Sequence, residues 1–341
     1  PTSAKLCNQQ TPSETRLMLA VRCRSFGPPE ALERVEIDPP VPGPGEVVVD
    51  VTAAGVGFVD GLMVQGLYQV KPPLPYFPGS EFAGRIAHIG ADVSGWETGQ
   101  RVMGLAPSGA FADQVRVAAA SLIPLPPDLD DHTAAGFFIN YATALFGLRD
   151  CGHLEAGETI LILGAAGGVG SAAVAVAKAM DARVIAAASS KAKREAALAA
   201  GADLVVDYSQ EDWREALKAE IRETGLQMVY DPVGGDAAEP SLRSLSPGGR
   251  YLVVGFASGT IPRIGLNLAL LKRCAIVGVD WGGASRADPS LNGPLMTTLL
   301  QWIASGRLSP APVSTRPMKE VGAALSDQLS GRTVGKLVLC N

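Results

Sequence analysis

Histidine is almost missing from this chain: there are 3 among 341 residues, His88, His132 and His153, and no spacing among them suits a shared metal ion. Cysteine is hardly commoner. The five thiols, Cys7, Cys23, Cys151, Cys274 and Cys340, are scattered, with no Cys-x-x-Cys pair. That excludes a four-cysteine zinc lobe and a dense disulfide framework, and an odd set of dispersed thiols fits a reducing, cytoplasmic compartment. Charge is sparse too, at 18% of residues with a formal net charge of −5. With no Lys/Arg block, neither nucleic acid nor an acidic membrane surface is an expected partner. Residues 1–16 are polar, without the apolar core of a signal peptide, and Leu17 to Val21 is too short to supply one before Arg22, so 1–16 reads as a flexible tail.

What the chain does contain is apolar and glycine-rich: 47% hydrophobic residues and 39 glycines. This is a globular composition, and its length suggests about two domains. The organising stretch is Thr159 to Gly170, Thr-Ile-Leu-Ile-Leu-Gly-Ala-Ala-Gly-Gly-Val-Gly, which continues into an alanine-rich run to Met180. A buried strand, a glycine turn and a helix in this order are the start of a dinucleotide-binding βαβ unit, with the pyrophosphate over the first amides of the helix. No charge occurs from Thr159 to Ala177, long enough to raise a membrane span. Four glycines in its first half, and a second β-like segment at Arg183 to Ala188, favour the α/β reading.

Strands are expected near 159–163, 183–188, 203–206, 227–230, 249–255 and 274–279, with helices between most of them: a doubly wound parallel sheet. Ahead of it, Leu17 to about Ala54 alternates as an antiparallel β domain, and strands return at Glu81 to Ile89 and Gln100 to Met103. Ala53 to Pro75 reads as a long ordered loop, since its prolines oppose regular structure. Pro124 to Asp130 is a hinge and Thr133 to Leu148 a helix leading into the second domain. A helix near Leu295 to Ser305 and a strand near Lys336 to Leu339 return the chain to the first domain. The dinucleotide then lies in the cleft between the two.

Several spaced motifs carry a resemblance: Ala53 to Asp60, Gly66-Leu67-Tyr68, Pro78 to Gly84, Ala165 to Gly170, Asp231 to Gly235, Gly255 to Gly259 and Val279 to Gly282. Together they resemble the zinc-free quinone oxidoreductase branch of the medium-chain dehydrogenase/reductase superfamily over residues 17–341. The resemblance implies a GroES-like, mainly antiparallel β catalytic domain (17–137, completed by 283–341) around a Rossmann domain (138–282). It also implies a homodimer in which Arg273 to Val279 of each subunit extends one sheet across a two-fold axis. Where the zinc branch would place Cys and His, this chain has Gly57 and Ser80, so simple alcohol oxidation lacks its Lewis acid. A quinone or an α,β-unsaturated carbonyl remains a feasible acceptor.

The cofactor follows from the end of the second strand. An NAD enzyme places an acid there for the ribose 2′-hydroxyl, whereas this chain reads Ser189-Ser190-Lys191-Ala192-Lys193-Arg194. Cations at a helix start oppose its dipole unless an anion binds, and a 2′-phosphate is such an anion, which points to NADPH. The alternative is a merely solvated helix start. By resemblance, Lys191, Tyr208 and Arg332 contact the 2′-phosphate, with Ser189 beside them. Ala166, Gly167, Gly168 and Val169 hold the pyrophosphate, and Asn140, Thr143, Phe256 and Ser258 surround the nicotinamide half. Tyr68 is the candidate proton donor to a developing oxyanion, the other reading being that it only packs on substrate. Asp60 is assigned to capping. Two further functions stay open: an enoyl-thioester reductase, and a catalytically idle NADPH-binding protein, which Gly57 in place of the branch's usual Asn allows.

Overall fold

The computed structural model describes residues 17–341, and the expected tail 1–16 lies outside them. The chain opens with β1 (Met18–Arg22) antiparallel to β2 (Glu33–Ile37). β3 (Glu46–Val56) follows, then helix α1 (Phe58–Val64), β4 (Glu81–Ile89), β5 (Arg101–Leu105), β6 (Gln114–Ala118) and β7 (Leu122–Pro124). Val47, Val49 and Val51 of β3 are buried in a core with Phe82, Ile86 and Phe111. The expected loop Ala53 to Pro75 is therefore corrected: its first part completes β3 and forms α1, and irregular chain begins only at Gln65. Helix α1 starts because the Asp60 carboxylate accepts from the Gly57 amide at 2.8 Å, an N-terminal cap that overrides the Gly and valines in Phe-Val-Asp-Gly-Leu-Met-Val.

Two short helices, α2 (Asp131–Ala135) and α3 (Phe138–Leu145), lead into the second unit. The single helix expected over Thr133 to Leu148 is broken at Gly136, where a Cβ would lie 2.7 Å from Lys336 Cγ, and it ends in a wider turn at Phe146–Cys151. Next come β8 (Thr159–Leu163), α4 (Gly168–Ala179), β9 (Arg183–Ala187), α5 (Lys191–Ala199), β10 (Leu204–Val206) and α6 (Trp213–Glu220). They are followed by β11 (Met228–Asp231), α7 (Ala238–Ser244), β12 (Arg250–Val253), α8 (Asn267–Lys272) and β13 (Ala275–Gly278).

These six strands are parallel, in the order β10-β9-β8-β11-β12-β13. That is the doubly wound Rossmann order, whose direction reverses between β8 and β11. Every residue of β8 is buried, the continuous apolar pattern of a parallel strand covered on both faces. The run Thr159 to Ala177 is thus strand and helix, and no helix among the described residues is long and apolar enough to cross a membrane.

The chain then forms α9 (Trp281–Ala287), α10 (Asn292–Ala304), β14 (Val313–Pro317), α11 (Val321–Leu329) and β15 (Lys336–Cys340). Leu295, Met296 and Leu299 of α10 join the core shared with α3, α4 and β8. β15 adds instead to the first sheet, antiparallel to β3, and the sheet order is β14-β15-β3-β4-β5-β7, with β6 also on β3. The chain so passes twice between its two larger sheets, β1 and β2 forming a third of their own.

Candidate functional site

The glycine loop leaves β8 at the point where the strand order reverses. Gly164 holds φ +57°, and a Cβ there would lie 2.7 Å from Val233 Cγ2. A Cβ on Gly170 would lie 2.2 Å from the Gly164 carbonyl oxygen, so only glycine lets α4 pack this closely on the strand end. Gly167 is the N-cap of α4 and has no side chain to satisfy the first amides, which leaves them for a ligand anion. Ala166 is buried, while Gly167, Gly168 and Val169 are partly open. A dinucleotide pyrophosphate fits this cradle.

At the adenosine end, β9 stops at Ala187 and Ser190 caps α5, its hydroxyl accepting from the Lys193 amide at 3.3 Å. Lys191 begins the helix with its side chain 85% exposed and only a 3.8 Å approach to Glu195. No acid stands between the end of β9 and Glu195, within α5. Asp207, after β10, is held by Arg194 at 2.6 Å. Tyr208 is half-buried, which raises its phenol above the ordinary value. Ser189 is exposed at the end of β9. Arg332 lies on the segment that joins α11 to β15, and it is ion-paired with Asp327 at 2.6 Å.

At the opposite end of the cleft, buried Asn140 stands against the glycine loop: its Nδ2 is 2.7 Å from where a Cβ on Gly168 would be. Thr143 follows one turn on in α3 and is half-buried. Phe256 and exposed Ser258 lie on the loop after β12, which is laced to the loop after β11 by Ala257 N to Pro232 O (3.1 Å) and Ser258 N to Val233 O (3.0 Å). That second loop is held in turn by Asp231. Its Oδ1 accepts from the Val233 and Gly234 amides at 2.7 and 2.8 Å, and its Oδ2 accepts from the Tyr251 hydroxyl. Sequence reasoning quoted Asp231 within a motif but gave it no role.

The first unit contributes a buried polar cluster. Asp60 accepts from Gly57 N and from Ser80 Oγ, the latter at 2.9 Å, and desolvation above all pushes its carboxyl up to about 6. The crevice it shares with Tyr76, Ser80 and Ser108 has no room for a water molecule, and the buried Tyr76 hydroxyl has no partner among the described residues. Beside it, Lys336 of β15 forms a buried ion pair with Glu81, whose other oxygen accepts from the Ile139 amide at 3.0 Å. One residue earlier, Gly335 N donates to the Ala166 carbonyl at 2.7 Å. Glu81 of β4 and Gly335, just before β15, thereby join the first sheet to the helix bearing Asn140 and to the glycine loop. No local sequence pattern announces either contact, because the partners lie far apart in the chain.

Tyr68 lies on the loop after α1, half-buried and with no hydrogen bond among the described residues. Among the described residues, no group of three or more His, Cys, Asp or Glu is placed to hold a metal ion.

Two family models match: the alcohol dehydrogenase GroES-like domain over residues 43–127 and the zinc-binding dehydrogenase domain over 168–295. Among curated relatives, the quinone oxidoreductase-like protein 2 of Rattus norvegicus is 35% identical over 98% of this chain and 96% of its own length. A mycocerosic acid synthase-like polyketide synthase of Mycobacterium tuberculosis is 33% identical over 94% of this chain, a match that covers 15% of that protein. Among solved structures, the Escherichia coli quinone oxidoreductase complexed with NADPH superposes with a TM-score of 0.87 at 30% identity, over 95% of this chain and all of that one.

Proposed function

This chain belongs to the zinc-free quinone oxidoreductase branch of the medium-chain dehydrogenase/reductase superfamily, and on that premise we propose that it is an NADPH-dependent reductase of a quinone or an α,β-unsaturated carbonyl. The observation that carries the reading is the exposed Lys191 at the start of α5, following a strand end without an acid, in one cleft with the open amides of α4. Ala166 to Val169 hold the pyrophosphate, and Ser189, Lys191, Tyr208 and Arg332 take the adenosine and its 2′-phosphate. Asn140, Thr143, Phe256 and Ser258 orient the nicotinamide half. Bound there, NADPH supplies a hydride. Tyr68 then donates its phenolic proton to the oxyanion that develops on the acceptor.

Two further elements belong to the proposal. The exposed edge of β13 and the outward-facing Leu266, Leu270, Leu271 and Ile276 support a homodimer built across that edge. The match to a segment of a polyketide synthase favours a second acceptor class, an enoyl thioester. A panel of 9,10-phenanthrenequinone, 1,4-benzoquinone, 2-alkenals and crotonyl-CoA with NADPH separates the readings. Turnover of the quinones or alkenals supports the first, turnover of crotonyl-CoA alone supports the second, and tight NADPH binding with no turnover of any would overturn both.

A further inference from the structure

The segment between α11 and β15, residues 330–335, crosses the cleft as a strap and is pinned on both sides of Arg332. On one side, Lys193 Nζ of α5 donates to the Gly331 carbonyl at 2.8 Å. On the other, Gly335 N donates to Ala166 O at 2.7 Å in the glycine loop. Between the pins the Arg332 backbone amide donates to the Asp327 carbonyl at 3.0 Å. Its side chain meets the Asp327 carboxylate through Nε at 2.8 Å and Nη2 at 2.6 Å, both on Oδ1. The remaining oxygen, Oδ2, is held by Arg316 Nη2 at 2.6 Å. The carboxylate is thus fixed by a second arginine while Arg332 stays 64% exposed, with its Nη1 edge unused among the described residues.

A guanidinium fixed along one edge and open along the other is prepared for a second anion, since five N–H donors exceed what one carboxylate oxygen takes. A free arginine on an exposed strap would lose rotamer entropy when it bound. We propose that Asp327 and Lys193 are positioning residues, which hold Arg332 within reach of a ribose 2′-phosphate at the start of α5 and so set the preference for the phosphorylated dinucleotide. The inference rests on the NADPH reading above and goes beyond it, because it assigns roles to two residues that reading does not use.

The test is direct calorimetric binding of NADPH and of NADH to the full chain and to Arg332→Ala, Asp327→Asn, Asp327→Glu and Lys193→Met, with kcat at saturating NADPH measured alongside. Arg332→Ala should raise the Kd for NADPH by about tenfold and leave NADH within about twofold, the scale of one charge-assisted contact. Asp327→Asn should raise it by about three- to tenfold and Lys193→Met by about threefold, again for NADPH alone and with kcat little changed; Asp327→Glu should recover part of the loss. If Arg332→Ala leaves NADPH binding unchanged, the phosphate assignment of Arg332 fails, and the positioning claim with it. If Arg332→Ala weakens NADPH while the other variants do not, only the positioning claim is overturned. Equal weakening of NADPH and NADH would make the role structural, and tighter NADPH binding in Asp327→Asn would make Asp327 a competitor for Arg332; either result overturns the claim. Should Asp327→Asn fail to fold, Lys193→Met, which leaves the Asp327 cluster intact, decides.

Discussion

Asp60 shows how one residue can cost stability while organising a turn. Its carboxyl caps α1 and accepts from Ser80, yet burial without a full set of donors raises its folded value to about 6, above the ordinary aspartate range. A carboxyl with a raised folded pKa is held at no cost where both states are protonated. The penalty enters as pH rises from about 4 through about 6, and reaches about 3 kcal/mol above that window. Asp60→Asn keeps an acceptor for Gly57 and a donor for Ser80. Its thermal midpoint should match the parent's near pH 4 and exceed it by several degrees near pH 8. A difference that does not change with pH would show that Asp60 is not the source. The Glu81–Lys336 pair makes the opposite demand. Glu81→Gln strands a buried ammonium and should cost about 3–5 kcal/mol in urea unfolding, whereas Glu81→Gln with Lys336→Met should cost clearly less. Lys191→Ala, at an exposed site, should leave stability alone and weaken NADPH relative to NADH by about five- to tenfold in Kd.

Among elements, those determined by their own residues were legible in the sequence. β8, β9, β11 and β12 are short apolar runs because a parallel strand is covered on both faces, and each lies within a residue or two of its expected position at the termini or inside the expected range. β14 was missed: Val-Ser-Thr-Arg-Pro is a partly exposed edge strand that owes its shape to β15. The break at Gly136 has no strong local signal, and the reason only glycine fits there, the close approach of Lys336, lies far along the chain. The candidate site divides in the same way. The glycine loop and the absence of an acid just after β9 are contiguous and readable, while the links of Asp231 to Tyr251, Asp327 to Arg316, Glu81 to Lys336 and Gly335 to Ala166 are made by tertiary structure alone. The α4 packing offers its own check. Gly170→Ala places a methyl 2.2 Å from a carbonyl oxygen and should cost about 1–3 kcal/mol, weakening NADPH and NADH alike. Selective loss of NADPH would contradict that account.

For the whole molecule, the two larger sheets are coupled through α3 and the start of β15, so the cofactor cleft is a product of how the units are fastened together. β13 is the edge strand of its sheet, and a second copy is the proposed cover. Leu270→Glu with Ile276→Lys should convert a dimer to a monomer in sedimentation velocity, while a parent that already sediments as a monomer would remove the dimer from the proposal. The central claim, a phosphate-selective hydride donor site serving an activated acceptor, is tested most directly by one comparison: kcat/KM for NADPH against NADH with 9,10-phenanthrenequinone, in the parent chain and in Lys191→Ala. The account predicts a preference for NADPH on the order of a hundredfold in the parent, from the Lys191 and Arg332 contacts at about tenfold each, and its fall by about five- to tenfold in the variant. Equal use of both dinucleotides by the parent, or a preference that survives the loss of Lys191 unchanged, would contradict it.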